Sequence, residues 1–164
     1  MGDADASAIR AERRDWISEH REIYLTSGGT RGHIMDVSSV GGRELTTHCL
    51  IKYVGRKSGK TYISPLIYGN VGGEIVIVAS KGGADTHPEW YLNILASETI
   101  GLQIATQAFE ATWREPEGEE RHDVWAFMAH LFPPYLAYQR STSRHIPVVM
   151  LKTGRPIDVF TAER

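Results

Sequence analysis

The 164-residue chain is short of cysteine, of net charge and of long apolar runs, and each shortage excludes a class of protein. Its single cysteine, Cys49, can form no internal disulfide and has no partner at metal-ligand spacing. The neighbours Leu50 and Ile51 make packing within a strand the expected role of that thiol. A formal net charge of -2 argues against nucleic-acid binding, which needs a basic surface to release counterions, so any anion site must be local. No apolar run approaches the roughly 18–20 residues that cross a bilayer, and MGDADASAIRAERRDW has no hydrophobic signal core, so a cytoplasmic location is the default expectation. Internal repeats, low-complexity tracts and a Gly-x-Ser-x-Gly nucleophile elbow are also lacking. Of the scattered histidines, His122 with Glu119 has the Glu-x-x-His spacing of di-iron bundles, which need that motif twice on four long helices. No metal site is expected.

What is present is ordinary globular material: 41% hydrophobic and 23% charged residues exclude disorder for most of the chain, and the length suits one domain. Residues 1–25 read as a frayed tail followed, over 8–25, by an amphipathic helix carrying Ile9, Trp16, Ile17, Ile23 and Tyr24. Residues 26–164 read as a single domain. SGGTRG breaks the first helix, because paired glycines favour loops. From Leu45 the texture changes to strands and turns: TTHCLIKYV, GRKSGK, TYISPLIYG, NVGG, EIVIVAS. This is a β-meander. TIGLQIAT, AFEATWRE and IPVVMLKT bring the total to about six strands, as in a small barrel or sandwich. Two helices are expected between them. HPEWYLNILAS has Pro88 for a first turn and a capping-box spacing of Thr86 with Glu89; GEERHDVWAFMAHLF places Val124, Phe127, Met128 and Leu131 on one face and ends at Pro133-Pro134. Regular strand-helix-strand alternation is missing, so the expected fold is mainly β (α+β), an antiparallel barrel with helices packed outside.

The stretch GRKSGKT imitates the end of a nucleotide-binding P-loop and fails as one on two counts. Only Arg56, Lys57 and Ser58 separate Gly55 from the Gly-Lys pair, and a strand rather than a helix follows. What remains is a basic, glycine-bracketed turn whose cations and amides suit a phosphate or carboxylate, against the plainer reading of a solvated hairpin. A second glycine loop, Ser80-Lys81-Gly82-Gly83, ends an apolar strand where small residues let a flat ligand approach the backbone. Trp90 and Tyr91 open the next helix, where one can wall a planar ligand while the other packs inward. Tyr135 and Tyr138 share one side of a helical turn and can close a pocket, donate a proton or simply pack.

Taken together, LIKYVGRKSGKTYISPLIY, VIVASKGGADTHPEWYLNILA and PPYLAYQRSTSRHIPVVML resemble the deazaflavin (F420)-dependent nitroreductase family of actinobacteria, within the split β-barrel flavin and deazaflavin oxidoreductases. The resemblance runs from about Ile23 to Leu151 and includes YLTSGGTRGH. It implies that Arg56, Lys57, Ser58 and Lys60 clamp the phosphate and acidic tail of coenzyme F420, and that Ser64 and Pro65 line the channel. Ala79, Ser80, Lys81, Gly82 and Gly83 would lie along the deazaflavin ring, with Trp90 and Asn93 closing its side. Ser80, Tyr135 and Tyr138 would act at the reactive centre. The implied activity is hydride transfer from reduced deazaflavin to a small electron-poor acceptor: a quinone, an enone or a nitro compound. Phe132 stands where a relative has a further pocket tyrosine, which weighs against nitroimidazole reduction. Glu89 replaces an apolar residue before Trp90, and Tyr62 a position where a basic side chain occurs. The alternatives are an FMN-binding oxidoreductase on the same barrel, or a deazaflavin carrier without turnover. Analogy with barrel relatives points to a homodimer. Peripheral membrane contact through residues 8–25 ranks below a soluble state, because Glu12, Asp15, Glu19 and Glu22 are acidic.

Overall fold

The computed structural model describes residues 16–161. Among them run a helix over 16–26 (α1) and eight strands: β1 Ile34–Met35, β2 Thr46–Val54, β3 Thr61–Ile67, β4 Gly69–Val71, β5 Glu74–Val78, β6 Thr99–Ile104, β7 Gln107–Arg114 and β8 Val148–Ile157. Three helices interrupt the later strands: α2 Glu89–Leu95, α3 Gly118–Leu131 and α4 Pro134–Arg140. All strand pairs are antiparallel, in the order β1-β2-β6-β7-β8-β5-β4 with β3 on β2. The sheet curls without closing, the split barrel with flanking helices that the strand pattern and the resemblance anticipated.

Why the central strands are apolar throughout is clear from the alternation of their side chains. On β5, Ile75 and Ile77 point into one core with Cys49, Ile51, Leu102 and Leu151, while Val76 and Val78 join a second with Met128, Phe132, Val148 and Met150. Both faces of β5 and of the first four residues of β8 are therefore buried: the inner one by the curled sheet and α2, the outer by α3 and α4. Each such side chain contributes about 1.5–3 kcal/mol. Cys49 is a core residue as expected, and burial pushes its thiol far up.

Three details depart from the sequence reading. The strand expected over 61–69 breaks at Tyr68, so that β4 starts at Gly69 where α3 crosses: a Cβ there would stand 2.7 Å from Met128 Sδ and 2.9 Å from the Phe127 ring. The capping box is not formed; Pro88 is the N-cap of α2 without a side-chain bond, and Thr86 Oγ1 instead accepts from Lys81 Nζ at 3.1 Å. On α3, Val124 and Met128 are buried as the pattern requires, whereas Phe127 is 43% exposed beside Gly69. Pro133 and Pro134 do end α3, and Pro134 opens α4, where its missing amide costs nothing. Of the expected tail and helix, residues 1–15 lie outside the described residues; the remainder packs Tyr24 and Leu25 against Leu50, Ala108 and Phe160.

Candidate active site

A cavity of about 940 Å³ opens where β5 ends, between α1, β3, α2 and α4. Pro65, Leu66 and Ile67 of β3 line one side, and the segment Ser80–Asp85 with Pro88 and Trp90 lines another. Tyr135, Tyr138 and Ser141 close it from α4, while Trp16, Ile17 and His20 of α1 and His48 of β2 form the remaining wall.

The glycine loop is held rather than slack. After Ala79, whose amide donates to the Pro147 carbonyl at 2.9 Å, the chain makes a short 3-10 turn over Lys81–Gly83, with φ of 47° at Lys81, 64° at Gly82 and 86° at Gly83. These left-handed residues turn the backbone toward the cavity, and only glycine adopts them freely. Gly83 is required a second time, because a Cβ would meet the Tyr138 Cα at 2.9 Å and the Ser141 hydroxyl, which donates to Gly83 O at 2.9 Å. Arg144 secures the loop from outside. Its guanidinium donates to Ser80 O and Ala84 O at 2.7 Å, to Ala79 O at 3.2 Å and to His87 Nδ1 at 2.9 Å. Burial, and then the Arg144 charge, hold His87 below the ordinary imidazole range, so it stands as a neutral acceptor.

The basic turn is a separate feature tied to the cavity through α2. Gly55 N donates to Lys60 O at 2.7 Å and Gly59 N to Gly55 O at 2.9 Å, closing the hairpin. Arg56 is exposed but tied down. Its amide (3.0 Å) and guanidinium (2.8 Å) both donate to Oδ1 of Asn93, which is buried, and the guanidinium also reaches Glu89 at 3.2 Å. Asn93 follows Trp90 by three residues on α2, so one short helix presents an aromatic to the cavity and an anchor to the turn. Ser58 bonds Tyr62 Oη at 3.2 Å and Lys60 N at 3.1 Å. Lys57 and Lys60 are exposed, and among the described residues neither is in an ion pair.

Of the residues singled out in the sequence, Pro65, Ser80, Lys81, Gly82, Gly83, Trp90, Tyr135 and Tyr138 are brought together on the cavity. Arg56, Lys57, Ser58, Lys60 and Asn93 gather at the turn beside it. Ser64 and Ala79 join neither: the Ser64 hydroxyl bonds Tyr53 Oη at 2.8 Å, and Ala79 is wholly buried in the core. Tyr91 packs inward beside Trp90 and donates to Glu115 at 2.9 Å; burial, then that carboxylate, push its phenol up. Phe132 is fully buried behind Tyr135, the ring centroids 5.0 Å apart, and does not line the cavity. Sequence reasoning missed Arg144, His20, His48 and the cavity role of Trp16. Local spacing carries no signal for them, since Arg144 lies 60 or more residues from the carbonyls it binds.

Comparison with known proteins gives a consistent picture. The model of the F420H(2)-dependent quinone reductase family matches residues 16–153. An F420H(2)-dependent quinone reductase of Mycobacterium tuberculosis (strain ATCC 25618 / H37Rv) is 29% identical over 135 residues, 80% of this chain and 86% of that protein. A solved structure described as a domain-swapped dimer is 37% identical with a TM-score of 0.62, covering 85% of this chain and 99% of that one. Another, an F420-H2 dependent reductase (FDR-A), is 40% identical with a TM-score of 0.59 over 64% of this chain and 93% of that one.

Proposed function

Because the chain belongs to the F420H(2)-dependent quinone reductase family, we propose that it is an oxidoreductase using reduced coenzyme F420 to reduce a quinone in the cavity described above. The observation that carries this reading is the cavity beside the glycine loop. At about 940 Å³ it lies at the upper end of the range for ligand sites, roomy enough for a flat tricycle and a second ring. The residues present suit such a ligand: a bare, left-handed backbone over Lys81–Gly83, the Trp90 ring, and a turn whose Lys57 and Lys60 have no internal counter-ion among the described residues.

When bound, the cofactor supplies a hydride to the acceptor. The protein's own residues do the rest. Ser80–Gly83 and Trp90 would hold the ring flat, and Lys57, Lys60 and the Asn93-anchored Arg56 would hold the phosphate and acidic tail. Ser64 is left out of this assignment, since it is not among the residues that line the cavity. Tyr135 and Tyr138 would pack on the acceptor and exclude water from it. A quinone is favoured over a nitro compound, in keeping with the family and with an aromatic, hydroxyl-free Phe132 behind the tyrosines. FMN would leave most of the basic turn unused, having a short monophosphate arm.

A homodimer belongs to the proposal through the 37% identical structure described as a domain-swapped dimer. No helix among the described residues is long and apolar enough to cross a membrane. The apolar side chains of α1 are taken up by the sheet and the cavity, which weighs against a lipid-facing role for that segment. The test is oxidation of F420H2 by a naphthoquinone, followed by the return of deazaflavin fluorescence. Turnover with F420H2 and none with reduced FMN supports the reading; no oxidation above the protein-free rate would overturn it.

A further inference from the structure

One wall of the cavity is polar for no reason that cofactor binding supplies. His20 on α1 is only 1% exposed, lines the cavity, and its Nδ1 has no hydrogen-bond partner among the described residues. A buried polar atom without a partner is destabilising, and a ligand seated in the cavity that His20 lines would supply the partner. The other nitrogen is accounted for: Nε2 lies 2.6 Å from the Gly32 carbonyl, which can only accept, so Nε2 carries the hydrogen. In the neutral ring, Nδ1 therefore holds a lone pair; in the charged ring it holds a proton.

The ring is held in place on two sides. Trp16 stacks on it with centroids 5.4 Å apart, and His48 meets it edge-on at 4.6 Å, itself oriented by an Nδ1 contact of 3.0 Å to Thr46 O. The titratable groups facing it are His48 from β2 and Tyr24 at 5.9 Å on α1, with Lys81 and Asp85 from the glycine loop and Tyr135 and Tyr138 from α4 around the same cavity.

Resting on the quinone-reductase reading, we propose that His20 Nδ1 is the proton donor to the quinone and then the hydrogen-bond acceptor for the hydroxyl that results. One quinone oxygen receives the hydride from the reduced deazaflavin, and its electron pair passes through the ring to the other oxygen. That oxygen takes the proton from Nδ1: the N–H bond breaks, an O–H bond forms, and quinone, hydride and proton become hydroquinone. The same nitrogen-oxygen contact then persists with the donor reversed. The imidazole regains its proton from solvent at the cavity mouth, where Lys81 and Gly82 are exposed. Burial lowers the pKa of His20, against the Gly32 bond that raises it, so the charged ring is a readier acid than free imidazole and the neutral ring dominates at neutral pH.

The experiment has two parts. Cofactor-free protein is titrated anaerobically at alkaline pH with 1,4-naphthoquinone and with 1,4-naphthohydroquinone, reading tryptophan fluorescence, since Trp16 and Trp90 line the cavity. The hydroquinone is expected to bind up to about tenfold more tightly, the upper end for one neutral hydrogen bond, with the preference lost in His20→Phe. Turnover with F420H2 is then measured against pH. The wild-type rate should fall as pH rises above the lowered His20 pKa. His20→Gln, which keeps a donor for Gly32 and an acceptor oxygen, should keep the binding preference, lose about 10²-fold in kcat and lose that pH limb. Equal affinity for the two redox forms in the wild type, or near-normal kcat in both variants, would overturn the inference. Wild-type protein that binds neither form and leaves F420H2 unoxidised would instead overturn the quinone reading and this inference with it.

Discussion

Replacing Arg144 with alanine tests how the glycine loop is kept in shape. The guanidinium makes hydrogen bonds to three carbonyls and one imidazole, spanning Ala79 to His87. Buried bonds to a charged donor are worth about 1.5–3 kcal/mol each. Arg144 is half-buried, and water replaces part of what is lost, so about 3 kcal/mol for the set is the expected loss. For a chain of this size that corresponds to about 6–12 °C in Tm. Urea and thermal unfolding measure it directly. Arg144→Lys should recover less than half, because one compact ammonium cannot span carbonyls that a planar fork reaches together. F420 affinity should fall in parallel, and His87 should rise toward its ordinary range in an NMR titration, since the neighbouring positive charge is gone. An alanine variant within about 0.5 kcal/mol of wild type, with unchanged F420 affinity, would refute the claim that this side chain holds the loop.

Gly83→Ala should destabilise the protein by about 1–3 kcal/mol, since φ is 86° and the new Cβ meets the α4 backbone; denaturant midpoints read this out. Glu89→Leu removes the carboxylate that competes for Arg56, and F420 should then bind about two- to fivefold more tightly at low salt, with little change in stability, as a calorimetric titration can show. Glu74 is held below its ordinary carboxylate range chiefly by its bonds to Arg114. The stability from a depressed carboxyl is present above the ordinary value near 4.5 and is lost as pH falls through the folded value, so wild type should lose its advantage over Arg114→Met as the pH is taken from 6 down through this window.

Much of this architecture was legible because alternation, turn glycines and apolar runs are local signals. β2, β5, β6, β7 and β8 stand close to where those signals put them, and so do α2 and α3. The two- and three-residue strands β1 and β4 escaped, as pairing over so short a span leaves no periodicity. At the site, the loop Ser80–Gly83 and Trp90 were readable from composition next to a strand end and a helix start. Arg56, expected to face a ligand, is also anchored by Asn93 and Glu89, an arrangement that depends on where α2 docks. His20, His48 and Arg144 are site residues only because β2, α1 and the segment before β8 converge in space. Nothing in their flanking residues records that.

The central claim is that the cavity and the basic turn together select the deazaflavin cofactor. Its most direct test is a fluorescence titration of the purified protein with F420 and with FMN under identical salt, repeated on the Lys57→Ala/Lys60→Ala variant. The account predicts tight F420 and weak FMN binding in the wild type, with the double substitution weakening F420 far more than FMN. Tighter FMN than F420 binding, or equal losses for both ligands, would contradict it.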